Sequence, residues 1–376
     1  MPMGPLMRSF ANCHSHVFHR ALRGRPSGQY SSASDFWSWR QDMYRLAVVL
    51  DPDLMYRLAR ATYREMRLAG ISTVGEFHYV HHRGNGKPYD EPHAMEDALI
   101  AAAREAGIRI CLLDACYLAA GFDQPPQGVQ LRFSDGNAEA WASRVSELAA
   151  RYRAAGDVVI GAAIHSVRAV PADQLEVVAQ ALRQAPLHVH VSEQPAENQA
   201  CLQATGRTPV QLLAEAGVWT PRTTAVHATH LTDGDIAILG EAGVFVCFCP
   251  TTEAHLADGI GPSVELRDAG ARLSLGTDSN TVIDMFAEAR ALEMHERLRS
   301  LRRGSWSSEQ LWAAACAHDS LGFGDAPALQ LRHTARTAGA SEPLWAATAD
   351  NVVTQLDAGD VAAELQSAID ECWSRV

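Results

Sequence analysis

The sequence predicts an α/β protein of the (β/α)8 TIM-barrel type, and two observations carry that prediction. Eight short apolar runs alternate with alanine-rich amphipathic segments through the first 304 residues. Histidine, glutamate and aspartate gather at the ends of those runs, where a barrel of parallel strands carries its chemistry.

The first run is "RSFANCHSH" at residue 8. "RPSGQYSSASDFWSWRQDMYRL" at 25 then reads as a long loop entering an aromatic-rich helix, a candidate active-site lid. The remaining runs are "ISTVGEFHYVHH" at 71, "IRICLLDACY" at 108, "DVVIGAAIHSVR" at 157, "LHVHVSEQ" at 187, "TTAVHATHL" at 223, "VFVCFCPTTE" at 244 and "RLSLGTDSN" at 272. Beyond 304 the alternation stops, and "SSEQLWAAACAH" and "VAAELQSAIDECW" are helical patterns. Residues 1–304 are therefore read as the barrel and 305–376 as a C-terminal helical extension packed on it. No internal repeat or low-complexity linker divides the chain.

At 376 residues and 47% hydrophobic content the chain can bury a large core. A net charge of −12, with no long Lys/Arg run, argues against nucleic acid or a membrane surface as partner. The eight cysteines lack the spacing of a disulfide framework or a zinc ribbon, so reduced thiols and a cytoplasmic location are expected. No apolar run is long enough to span a membrane, and no hydrophobic signal core opens the sequence.

In an extended segment His14 and His16 project to one side, so this H-x-H pair can present two imidazoles to one metal ion. His190 closes the fifth run, His227 the sixth and Asp278 the eighth. A barrel brings those ends to one mouth, and a His/His/His/Asp set suits Zn2+ with a position left for water. The fourth run offers no lysine that could bridge a second ion, so one divalent metal per chain is expected.

The segments "NCHSHVFHRAL", "EFHYVHH", "HVHVSEQPAE", "VHATHLT", "CPTTEAHLADGI" and "GTDSN" closely resemble the amidohydrolase superfamily. Within it they resemble the formimidoylglutamate deiminases of histidine degradation, over roughly residues 10–320. The resemblance implies that His14, His16, His190 and Asp278 hold one divalent metal, zinc, and that Glu193 is the proton shuttle. It makes His227 catalytic rather than a ligand. It also carries the substrate contacts onto His19, Arg40, Tyr79, His165 and Arg168.

The chemistry agrees with those roles. Hydrolysis of an amidine carbon needs hydroxide at neutral pH, which a zinc site supplies by lowering the pKa of water to about 7. The leaving nitrogen must be protonated, which asks for a carboxylic acid such as Glu193. His227 can orient the water, and Asp278 can accept its proton. N-formimino-L-glutamate carries two carboxylates, for which Arg40 and Arg168 are natural partners. His188, deeper on its strand, is expected to pack. His81, His82, His230 and His255 are expected to be hydrogen-bonded loop residues.

The chain departs from the family at His19, where relatives have Gln, and at His255, where they have Asn. If His19 keeps an ordinary pKa of about 6.5, it becomes a cationic donor only on protonation. Too few residues precede His14 for half of the relatives' β-sandwich, so little or no accessory sandwich is expected. The surface thereby exposed could be covered by a second copy in a homodimer. Two alternatives remain: a diverged paralogue acting on another formimino, amidine or nucleobase C–N bond, and a catalytically silent barrel with a binding role.

Overall fold

The computed structural model describes residues 3–24, 36–334, 337–338 and 342–376. β1 (Met3–Arg8) precedes eight parallel strands that follow one another around one sheet in chain order. These are β2 (Phe10–Ser15), β3 (Ile71–His78), β4 (Arg109–Cys116), β5 (Val158–Ile164), β6 (Leu187–Val191), β7 (Thr223–His227), β8 (Phe245–Phe248) and β9 (Arg272–Leu275). Each falls within one of the eight apolar runs. The fold is a (β/α)8 barrel.

Helices α1 (Phe36–Val49) and α2 (Pro52–Leu68) join β2 to β3. Then α3 (Ala94–Ala106), α4 (Ala138–Tyr152) and α5 (Leu175–Ala181) follow β3, β4 and β5 in turn. After β6 come α6 (Pro195–Thr205) and α7 (Pro209–Glu215), and after β7 comes α8 (Asp233–Glu241). β8 leads to α9 (Pro250–Leu256) and α10 (Ser263–Ala269), and β9 to α11 (Met285–Ser300). The chain ends with α12 (Ser308–Ala315), β10 (Ala328–Arg332), α13 (Pro343–Ala346) and α14 (Ala358–Ser374).

Parallel barrel strands are covered on both faces, and β2, β3, β6, β7 and β8 are buried at every position. Side-chain caps help fix the helix starts. Asp51 accepts from Leu54 N at 2.8 Å, and Thr208, Thr232 and Ser307 each open a capping box.

The barrel closes between its first and last strands at the candidate site itself. His14 O accepts from Thr277 N at 3.1 Å and Asp278 N at 2.9 Å, and His16 N donates to Asp278 O at 2.9 Å. Gly276 permits this approach, because a Cβ there would lie 2.7 Å from the His14 carbonyl oxygen. Asn12 holds the same turn, bonding Thr277 at Oγ1 and N (2.7 and 2.9 Å).

The tail corrects the purely helical reading of residues 305–376. β10 pairs antiparallel with β1 in a separate two-stranded sheet. Its alternation is only two buried leucines long, Leu329 and Leu331, too short to stand out beside the helical patterns around it. α14 packs on α2, with Arg57 2.6 Å from Glu371, Arg375 2.7 Å from Asp51, and Arg60 and Arg64 both on Glu364. All eight cysteines are free and buried, and among the described residues no helix is long and apolar enough to cross a membrane.

Candidate active site

The ends of β2 and β6 and the turn after β9 bring His14, His16, His190 and Asp278 together. His190 Nε2 lies 3.2 Å from His16 Nε2 and 3.1 Å from His14 Nε2. Asp278 Oδ1 lies 3.4 Å from both His14 Nε2 and His16 Nε2. Ligands about 2.1 Å from a tetrahedral ion would be about 3.4 Å apart.

Their protonation supports the same conclusion. His16 Nδ1 faces Phe77 O and His190 Nδ1 faces His165 O, both at 2.8 Å. Carbonyls only accept, so each neutral ring carries its hydrogen on Nδ1 and turns an Nε2 lone pair toward the other. Burial, reinforced by neighbouring imidazoles, holds His14, His16 and His190 well below the ordinary histidine pKa. Facing lone pairs on neutral rings repel unless a cation lies between them, so the residues fit a metal ion.

Glu193 follows β6, and its Oε1 lies 4.0 Å from His227 Nε2. Burial, partly offset by His227, pushes the Glu193 carboxyl up to about 7. Burial acts against a charged His227, yet Glu193, Glu253 and Asp278 together raise its pKa well above the ordinary value. Glu253 sits 3.3 Å from His227 Nδ1 and accepts from Cys249 N at 2.8 Å. The backbone here is in the left-handed region without glycine: φ is 54° at Ser192, 66° at His227, 48° at Ala228 and 44° at Asp278. Such conformations cost about 1–3 kcal/mol each and cluster where geometry serves function.

A solvent-open cavity of about 180 Å3 lies over this centre. His19, Arg40, Tyr79, His165 and Arg168 all line it, together with Glu193, His227 and Asp278. His14 lies behind the lining, fully buried. Arg40 comes from α1, the helix expected in the lid, while the loop expected at 25–35 lies outside the described residues. His19 Nε2 meets Tyr79 Oη at 3.0 Å, and burial pulls its pKa to about 4. The imidazole is therefore neutral at ordinary pH, which corrects the expectation of a cationic donor titrating near 6.5. Arg168 Nε is 3.8 Å from Glu197, whose other oxygen accepts from Ser192 N at 3.0 Å.

His188 is fully buried and does not line the cavity. His230 Nε2 donates to Asp258 O at 2.7 Å, since a carbonyl only accepts. His255 is exposed on α9 and is not itself among the lining residues, although the adjacent Leu256 is. His81 and His82, in the loop after β3, are hydrogen-bonded as expected, and both are buried: His81 Nδ1 is 2.7 Å from Glu96 and His82 Nε2 is 3.0 Å from Asp135.

The sequence reading assigned no role to Glu253, Glu76 or Asn280. Glu76 accepts from Val17 N at 2.7 Å and Ser15 Oγ at 3.0 Å, fixing the turn that carries His16 and His19. Asn280 donates to His16 O at 3.1 Å. Glu253 stood inside "CPTTEA", so its motif was visible while its contact with His227 was not.

Residues 6–321 match the Amidohydrolase family. The chain belongs to that family. Its members are metal dependent, and hydrolytic deaminases are prominent among the relatives. The formimidoylglutamate deiminase of Pseudomonas aeruginosa is 36% identical over 329 residues, covering 87% of this chain and 72% of that protein. The 8-oxoguanine deaminase of the same organism is 30% identical over 312 residues, covering 78% of this chain and 64% of that protein. An amidohydrolase from Brucella melitensis superposes with a TM-score of 0.89 at 30% identity, over 98% of this chain and 90% of that one.

Proposed function

We propose that this amidohydrolase is a zinc-dependent deiminase that converts N-formimino-L-glutamate to N-formyl-L-glutamate and ammonia. The observation that carries the reading is the cavity's pairing of Glu193 and His227 over the His/Asp centre with Arg40 and Arg168 on its wall. The 36% identity to a formimidoylglutamate deiminase supports it. His14, His16, His190 and Asp278 would hold the ion, and three nitrogens with one carboxylate oxygen suit zinc.

When bound, the ion supplies hydroxide at neutral pH. His227 orients the attacking water, held at Nδ1 by Glu253. Attack at the amidine carbon gives a tetrahedral species, and Asp278 accepts the proton released. Glu193, raised to about 7, can hold a proton at neutral pH and deliver it to the departing nitrogen, so that ammonia leaves. Arg40 and Arg168 bind the substrate's carboxylates. His19 and Tyr79 form one further hydrogen-bonding edge, and His165 packs against Tyr79 at 5.2 Å between ring centroids.

A nucleobase substrate is the second reading, favoured by the aromatic wall in which Phe133 lies 5.1 Å from Tyr79 and 5.4 Å from Tyr117. Ammonia release by the zinc-loaded protein from N-formimino-L-glutamate and from 8-oxoguanine separates the two. Faster turnover of the formimino compound is expected, and turnover of 8-oxoguanine alone would replace the proposal. No ammonia from either, or from other amidines, would favour a binding role.

A further inference from the structure

Behind the cavity wall, the buried side chain of Gln130 fixes the direction of a hydrogen-bond network. Gln127 N lies 3.0 Å from Gln130 Oε1. A backbone N–H can only donate, so this contact identifies the atom it faces as the amide oxygen and settles which way the side chain points. Gln130 Nε2 then donates to Tyr44 Oη at 3.1 Å and to Tyr117 Oη at 3.0 Å. Arg40 Nε, also able only to donate, reaches Tyr44 Oη at 2.8 Å.

A tyrosine hydroxyl offers one hydrogen and accepts through its lone pairs. Tyr44 Oη already accepts twice, so its own hydrogen must point elsewhere, and Tyr117 Oη accepts once. Between them the two hydroxyls retain two hydrogens, and at most one can be used in a bond from one to the other. At least one is left to donate. Tyr44, Tyr117, Arg40 and Arg168 all line the cavity, whereas Gln130 does not. This stretch of wall therefore presents at least one hydroxyl donor backed by guanidinium charge. His165 connects it to the centre, 4.7 Å from the Tyr117 ring and 5.3 Å from the His190 ring.

We propose that the Tyr44–Tyr117 pair, which Gln130 occupies as a donor so that at least one hydroxyl hydrogen is left for the cavity, forms with Arg40 a carboxylate-recognising wall that selects substrates with an anionic group at the end away from the reacting carbon. Gln130 is a positioning residue and the two tyrosines are specificity residues. The inference rests on the deiminase reading for its substrate, but the wall's preference for a carboxylate can be measured without turnover.

The test measures binding of glutarate and of its neutral diamide to the metal-loaded enzyme by calorimetry, for the wild type, Gln130→Glu, Gln130→Leu and Tyr117→Phe. Gln130→Glu keeps the shape and still accepts from Gln127 N, but replaces the donor facing the tyrosines with an acceptor. Their hydrogens turn back toward it and away from the cavity. Glutarate should bind about ten-fold or more weakly to Gln130→Glu, with a smaller loss in Gln130→Leu and Tyr117→Phe, while binding of the diamide is unchanged. A merely structural glutamine predicts instead that the isosteric Gln130→Glu is the milder of the two changes at that position. Glutarate binding within two-fold of wild type in both Gln130→Glu and Tyr117→Phe would overturn the inference, as would a wild type that prefers the diamide. Preferential glutarate binding by a wild type that releases no ammonia from N-formimino-L-glutamate would reject that substrate and uphold the wall.

Discussion

A carboxyl group that is to give up a proton at neutral pH must first hold one, and at Glu193 burial raises the pKa to about 7. The protonated form is the acid, so kcat should fall as pH rises through about 7. Glu193→Gln should lower kcat by roughly 10² or more and remove that alkaline limb, with metal content unchanged. A kcat–pH profile with elemental analysis of both proteins checks this, and near wild-type kcat would remove Glu193 from the mechanism. Arg168 makes a different demand, because Glu197 already stands 3.8 Å from its Nε. If the guanidinium also clamps a substrate carboxylate, Arg168→Met breaks a buried charge pair from one side. A loss of about 2–5 kcal/mol in kcat/KM is expected, confined to carboxylated substrates. Equal losses on carboxyl-free amidines would show that Arg168 serves only to hold Glu197.

The elements place these groups by fixing strand ends, and the end of β3 is held from outside the barrel. Arg144 on α4 bonds Asp114 on β4 (2.9 and 2.8 Å), Glu96 on α3 (3.1 Å) and Asp135 (2.9 Å), while Trp141 Nε1 donates to Asp114 at 2.9 Å. His81, two residues beyond Tyr79, shares Glu96. Despite burial, His78, His81 and Arg144 hold Glu96, and His82 and Arg144 hold Asp135, below the ordinary carboxylate range. Depressed carboxylates contribute stability above their unfolded pKa values near 4, and that contribution is lost on acidification. Arg144→Met strands three buried acids and should cost about 3–5 kcal/mol at pH 7. The cost should shrink toward pH 4 as the stranded acids protonate, which urea unfolding at the two pH values measures. The same contrast explains what the sequence could show. Strands β2 to β9 and the convergence of His14, His16, His190 and Asp278 were legible, because apolar runs recur and these side chains stand at or just past their ends. Glu76, Glu253, Gln130 and Arg144 act through partners far away in sequence. No local spacing marks such residues, and only the folded chain pairs them. His19 was legible as a pocket residue, but its neutrality depends on burial that its motif does not encode.

At the scale of the molecule, the tail and the proposed metal centre both meet the start of the barrel. Trp373 Nε1 on α14 donates to Ala21 O at 2.8 Å, tying the last helix to the turn that carries His19. The proposed ligand set lies across the closure itself: His14 and His16 belong to the first barrel strand and its edge, Asp278 follows the last, and His190 reaches them from β6. In the folded chain His16 and His190, each with its hydrogen on Nδ1, turn lone pairs toward one another at 3.2 Å. The unfolded chain has no such strain and no assembled site, so ion binding favours the folded state by RT ln(1 + [L]/Kd), about 2.7 kcal/mol when free ion is 100 times Kd. Chelation should therefore lower Tm, and titrating zinc back should restore it with a break at one equivalent per chain. His16→Ala should fold with a lower Tm that added zinc raises far less. The expectation of one ion follows from β5, which offers no lysine to bridge a second beside that set. Two tightly held equivalents by elemental analysis, or a Tm indifferent to chelation, would show that the barrel closes without help from a metal.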